Sequence, residues 1–319
     1  MVLMILRTLA LSRSAREVLR VGLHLCRLGD ESAASSFRSL SYSIAAFCCT
    51  LSDCPCSKDA LYMQAHVAQS LEPLLTELIA GYHVLDHDGQ ASGVAGHLSA
   101  RLPGAQTFWS HRFGLTFGEV GAAQLLESDF ELNVLRGTPP INPTMHIHTR
   151  IYLARPDVNA IVHTHGKNIL ALSAIGAELE MCTQPAALFH QDIAYLDEYE
   201  GAALGKSEGD AIAHALGKKT AVVLRHHGQL VVGASVGDAV FRAVRLESVA
   251  GLQLAAMAAG RLQTMPLAGT EQVQRFQTAG VAHMQWLALR REIFRLRPNL
   301  LDGLHALVPP PGIEPGSSA

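Results

Sequence analysis

Residues 151–165 read Ile151-Tyr152-Leu153-Ala154-Arg155-Pro156-Asp157-Val158-Asn159-Ala160-Ile161-Val162-His163-Thr164-His165. Pro156 disfavours helix for Arg155, so the apolar-periodic segment before it stops near Ala154. The run from Asn159 to His165 is rich in β-branched and apolar residues, so a strand follows. Alternate residues of a strand point to one face, which sends His163 and His165 out of the sheet together. Two imidazoles on one face can chelate one ion. An apolar strand carrying His-x-His behind a helix indicates an α/β chain with a metal-binding candidate on its sheet.

The spacing outward repeats this alternation of helices and strands. Upstream, Asn142-Pro143-Thr144 opens the helix that runs to Ala154, with Thr144 as the expected N-cap. His146 and His148 lie on it about 200° apart and cannot chelate together, while His148 shares a face with Tyr152. Further back, Leu71, Leu74, Leu75 and Leu78 give helical periodicity over Leu71–Ala80. The Gly-rich stretch Gly89 to Gly104, which contains His97, predicts turns between short strands. Downstream, Asn168 to Ile175 reads as a short helix closed by Gly176. The apolar runs Thr220–Leu224 and Gln229–Val232 flank His226-His227-Gly228, predicting two strands joined by a turn. Either histidine of that turn can supply a third ligand, and three imidazoles with an open position suit catalytic zinc, iron or manganese. Ser235 caps a helix over Val236–Ala259, Gly260 closes it, and another helix is expected from Val273 to about Arg295.

The 319 residues carry 49% hydrophobic and 17% charged side chains and a formal charge of −3, so a large core forms and no basic surplus exists to bind nucleic acid. No apolar run is long enough to cross a membrane. Of the 16 histidines, all but His24 follow Met63. Residues 1–63 differ from the rest. They hold five of the six cysteines, with Arg and Ser abundant and acids scarce. They read equally as a transit-peptide-like extension and as translated upstream sequence. Their cysteine spacing matches no standard zinc module. The division expected is 1–63 extension, 64–263 catalytic-type domain, 264–308 C-terminal helical segment and 309–319 disordered tail. The compartment expected is the cytoplasm, or the mitochondrion if residues 1–63 act as a transit peptide.

The 151–165 stretch resembles the signature of the class II aldolase/adducin family. Leu224-Arg225-His226-His227-Gly228, the Ser235 to Gly260 helix and Gly96-His97-Leu98-Ser99-Ala100-Arg101 are similar to its other segments. The resemblance implies a three-layer α/β/α sandwich around a mainly antiparallel sheet. It also implies a divalent metal, usually zinc, with Fe or Mn as alternatives, held by His163, His165 and His227, and a homotetramer with sites between subunits. His148, Tyr152 and His190 are the candidate catalytic residues; His97, Thr144 and Gln184 are the candidate substrate contacts.

The departures from that family narrow the chemistry. Its phospho-sugar aldolases carry Ser-Ser-Glu where this chain has Asn142-Pro143-Thr144, and an Asn where it has His97. Hydroxyls and amides donate to phosphate oxygens, and the Glu is the proton-transfer base. Their replacement argues for a small non-phosphorylated carbonyl substrate and a lyase or decarboxylase reaction. A non-heme iron oxygenase acting on an aromatic keto acid is the second reading. A non-catalytic adducin-like interaction protein of cytoskeletal type is the third, disfavoured because a scaffold needs no chelate.

Overall fold

The computed structural model describes residues 71–197 and 205–307. The expectations for residues 1–63 and for the tail at 309–319 lie outside these residues. The elements are α1 (Leu71–His87), β1 (His97–Ala100), β2 (Thr107–His111), β3 (Leu125–Asp129), β4 (Val134–Arg136), α2 (His146–Ala154), β5 (Ala160–Thr164), α3 (Lys167–Ala174), β6 (Ile193–Leu196), α4 (Lys206–Leu216), β7 (Ala221–Leu224), β8 (Gly228–Gly233), α5 (Val236–Ala259), α6 (Leu267–Phe276) and α7 (Ala282–Leu296).

The eight strands form one sheet in the order β4-β3-β2-β1-β5-β8-β7-β6. Every neighbouring pair is antiparallel except β6 and β7. The central strands are buried on both faces, so their sequences read as unbroken apolar runs rather than alternations. Period two still decides which core each residue enters. Ala160, Val162, Ala221, Val223 and Val231 pack with α1, α3 and α5. Ile161, Val222, Leu224, Leu230 and Val232 pack with α2 and α4. Two cores on opposite faces of one sheet make three layers, the α/β/α arrangement that the resemblance implies.

Local chemistry sets the boundaries, and three differ from expectation. The first helix continues past Ala80 to His87, because Tyr82 and Leu85 extend its buried stripe. It ends where Gly89 takes φ +78. There Gly89 N–H donates to Asp86 O and Gln90 N–H to Leu85 O, the paired bonds of a Schellman cap. Thr144 does not cap α2. Asn142 does the capping, its side chain accepting from Thr144 N at the start of a 3-10 turn, Pro143–Met145, that precedes the helix. The single helix expected over 273–295 is broken into α6 and α7 around Gly280, whose φ of +105 no continuing helix accommodates. The second piece straps onto α1. Trp286 is buried and donates to Glu77, Arg290 pairs with Glu77, and Arg297 pairs with Asp86 at 2.7 Å. None of the described helices is long and apolar enough to cross a membrane.

Candidate metal centre

Strand β5 delivers His163 on the α2 side of the sheet, and the chain just beyond it delivers His165. The β7–β8 connection Arg225-His226-His227 closes in three residues. His226 takes φ +61, and His227 N–H returns to Leu224 O at 3.0 Å. That left-handed residue reverses the chain tightly enough to bring His227 over β5. Ring centres of His163, His165 and His227 lie 4.8, 4.9 and 5.0 Å apart pairwise. One potential ligand atom from each falls within 4.8 Å of the others.

The surroundings hold these rings in a form that could ligate an ion. His163 Nδ1–H donates to the Gln229 carbonyl at 3.0 Å, which leaves the Nε2 lone pair facing His165 Nε2, 3.0 Å away. Burial holds His163 well below the ordinary imidazole pKa, with neighbouring His97, His165 and His227 adding to the effect. Burial, then His227, pushes His165 down to about 4, and burial lowers His227. All three are therefore neutral at pH 7, the form that coordinates metal. Three converging neutral imidazoles fit a divalent ion of borderline softness such as zinc.

The opposite face of β5 is pinned by a buried amide network. Gln229 Nε2 donates to Gln90 Oε1 at 2.7 Å and to Ala243 O at 3.2 Å, while Thr164 Oγ1 donates to Gln90 Oε1 at 2.7 Å. The loop after β5 is held as well. Ser92 Oγ accepts His165 N–H at 3.0 Å, and the Glu247 carboxylate accepts Asn168 and Ile169 N–H at the N-terminus of α3.

A second group stands behind His163. His97 is fully buried on β1, a strand residue rather than a turn residue. Its ring centre lies 4.8 Å from that of His163. His97 Nε2 is 3.0 Å from Thr144 Oγ1, and His97 Nδ1 is 2.9 Å from His148 Nε2. His148 Nδ1 is 2.7 Å from Ser99 Oγ, which is 2.8 Å from the Tyr152 hydroxyl. The Arg101 guanidinium lies 4.5 Å over the Tyr152 ring and donates to the carbonyls of Val158 and Arg155. Burial lowers both His97 and His148 far below the usual imidazole range and raises Tyr152. Among the described residues, no carboxylate hydrogen-bonds to any of these five imidazoles.

His190 and Gln184 are placed elsewhere. They bracket the 3-10 turn Gln184–Phe189, where Gln277 donates to Gln184 O and Gln274 to His190 O. Both are tied to the C-terminal helices, and among the described residues no bond or ring contact joins them to the imidazole cluster. His146 is half-buried at the start of α2, off the cluster. Ser99 and Asn142 are the residues that sequence reasoning missed as members of the site. The signal for Ser99 was present: read as a strand, His97-Leu98-Ser99 puts residues 97 and 99 on one face.

Residues 76–254, more than half of the chain, match the family model described as class II aldolase and adducin N-terminal domain. A class 2 aldolase-like protein of Caulobacter vibrioides is 32% identical over 234 residues, covering 71% of this chain and 91% of that one. Decarboxylase NovR of Streptomyces niveus is 32% identical over 177 residues, covering 54% of this chain and 66% of that one. The solved structure of L-fuculose 1-phosphate aldolase from Glaciozyma antarctica is 29% identical with a TM-score of 0.66, covering 72% of this chain and 91% of that one.

Proposed function

The chain belongs to the class II aldolase and adducin family, and from that premise we propose that it is a metal-dependent lyase acting on a small carbonyl compound that carries no phosphate. The observation that carries the reading is the convergence of His163, His165 and His227. Bound there, a divalent ion supplies a Lewis acid to a substrate carbonyl oxygen. Gln229 O orients His163 for that task, and Ser92 and the Glu247 carboxylate fix the loop that carries His165.

The substrate class follows from what the neighbouring groups have left to offer. The aldolases place phosphate donors and a carboxylate base where this chain has His97, Asn142, Pro143 and Thr144. Thr144 Oγ1 is bonded to His97 and to Asn142 Oδ1, and Pro143 has no N–H. The Thr144 hydroxyl, His97 Nε2–H and Asn142 Oδ1 are occupied with one another, which leaves the Asn142 NH2 as the side-chain donor of this set, too few for a phosphate dianion. Retro-aldol cleavage begins with removal of a hydroxyl proton by a base. Decarboxylation of an acid whose carbonyl lies β to the carboxylate breaks a carbon–carbon bond with no such step: CO2 leaves, the bonding pair passes into the carbonyl as an enolate, and water returns a proton to its carbon. A site without a bonded carboxylate suits the second chemistry, as does the likeness to a protein named decarboxylase. Assembly as a homotetramer belongs to the same reading.

The test is a turnover screen on protein loaded in turn with zinc, manganese and, anaerobically, iron. Non-phosphorylated keto and hydroxy acids are expected to release CO2 or a carbonyl fragment. Efficient cleavage of a ketose 1-phosphate would overturn the substrate class. Oxygen consumption with iron alone would replace the lyase by an oxygenase.

A further inference from the structure

The line of buried polar groups beside the three-histidine cluster has a direction, and one end sets it. Asn142 Oδ1 accepts Thr144 backbone N–H at 3.0 Å, which identifies that atom as the amide oxygen, an acceptor only. The Thr144 hydroxyl, 2.8 Å away, therefore donates to it. A hydroxyl has one proton, so across the 3.0 Å contact with Thr144 Oγ1 it is His97 Nε2–H that donates. A neutral imidazole carries one N–H, so His97 Nδ1 accepts, and His148 Nε2–H donates across 2.9 Å. His148 Nδ1 then accepts from the Ser99 hydroxyl at 2.7 Å, and Ser99 Oγ accepts from Tyr152 at 2.8 Å. Each assignment forces the next, and every group in the line is used.

His97 is as close to His163 as a ligand is. Their ring centres are 4.8 Å apart, the separation between His163 and His165. Yet the group able to hold an ion comprises only His163, His165 and His227, because both nitrogens of His97 are turned to His148 and Thr144. We infer that the directed chain from Tyr152 to Asn142 withholds a fourth imidazole from the metal and so keeps coordination positions open for substrate. Three histidines leave a tetrahedral ion one open position, and a fourth closes it. His148, Thr144 and Asn142 are then positioning residues acting through His97. The inference rests on the metal site proposed above.

The test has two arms, both on the full chain. In the first, nitrogen-15 imidazole spectra are recorded on metal-free protein, with His97→Gln and His148→Gln providing assignments. Both rings are expected with a proton-bearing Nε2 and a bare Nδ1. A proton on Nδ1 of either ring would overturn the chain. In the second, cobalt-loaded proteins are compared by X-ray absorption and by azide titration. Wild type and Thr144→Ser are expected to show three imidazoles and to bind azide. The double variant Thr144→Val/His148→Phe is expected to show four and to bind azide at least tenfold more weakly. Thr144→Val alone, close to isosteric, carries the same readout if the double variant does not fold. Three imidazoles and unchanged azide affinity in the variants would overturn the withholding role, as would four in wild type. A wild type that binds no cobalt removes the metal site itself, an outcome distinct from the others.

Discussion

Replacing Gly228 by alanine tests how the β7–β8 connection builds the candidate metal centre. Gly228 is the first residue of β8, next to His227, and its φ is ordinary, so the substitution introduces no backbone strain. The consequence is purely steric. A Cβ there would lie 2.5 Å from Thr164 O and 2.7 Å from His165 Cδ2. The first atom is backbone of β5 and cannot swing away, so β5 and β8 must part by roughly half an ångström or more. Overpacking costs about 1–3 kcal/mol, and a rigid obstacle places this case near the top of that range. About 3 kcal/mol in a domain of this size lowers Tm by roughly 6–12 °C. The second atom belongs to a candidate ligand, so zinc affinity should fall at least tenfold, about 1.4 kcal/mol. Gly269→Ala is the control. It lies within α6 with no atom within 4 Å of an added Cβ, and should stabilise the protein by up to about 1 kcal/mol. Thermal unfolding and zinc titration against a chelator of known affinity read both effects. A Gly228→Ala protein that unfolds within 1 °C of wild type and binds zinc equally well would refute this account of the strand contact.

Three further outcomes are expected. Zinc at 100 times its Kd should stabilise wild type by about 2.7 kcal/mol, and His163→Ala, His165→Ala and His227→Ala should each abolish that increment in thermal scans; retention by two of the three would mean the ligands are misassigned. Buried His111 has its pKa lowered by burial from 6.5 to about 4, so the unfolded chain binds the extra proton between those values. The stability from keeping that ring neutral is complete above pH 6.5 and falls away toward pH 4 by about 3 kcal/mol. His111→Phe should flatten that part of the urea-denaturation profile, and an unchanged slope would speak against it. Glu247→Gln removes the charge that accepts two N–H groups at the start of α3 and should cost about 1–2 kcal/mol in urea denaturation; a loss under 0.3 kcal/mol would mean the loop is held without it.

The fold was legible where one local rule acts alone. The α5 helix was placed over Val236–Ala259 because Ser235 and Gly260 mark its ends chemically. The β5 strand followed from an apolar β-branched run stopped by Gly166. Expectation failed where tertiary contacts outvote the local pattern. Helix α1 runs beyond Ala80 because the core covers Tyr82 and Leu85, although Gly81, His83 and Asp86 interrupt the apolar pattern of its last two turns. The α6–α7 break was missed because Gly280 sits in an otherwise helical period, and only its positive φ reveals the turn.

The site divides in the same way. Period two puts His163 and His165 on one side of a strand, and the adjoining turn offers His226 or His227; the family resemblance singled out His227, and the pairing of β5 with β8 brings that turn to the other two. The supporting chain is different in kind. His97 and Ser99 come from β1, Thr144 and Asn142 from the segment before α2, His148 and Tyr152 from α2 itself. They meet only because β1 pairs with β5 and α2 covers that face. Sequence offered a contrast with the aldolases at positions 97 and 144 taken separately. The structure joins the two by a 3.0 Å contact, so the changes are coupled. An Asn at position 97 could not both accept from His148 and donate to Thr144 with the reach of an imidazole. A Glu at 144 would place a carboxylate against a ring that now has only neutral partners. Exchanging either residue alone therefore breaks the line of bonds. Converting this site toward the aldolase pattern requires both changes together, which a double-mutant cycle on residues 97 and 144 would register as a non-additive loss.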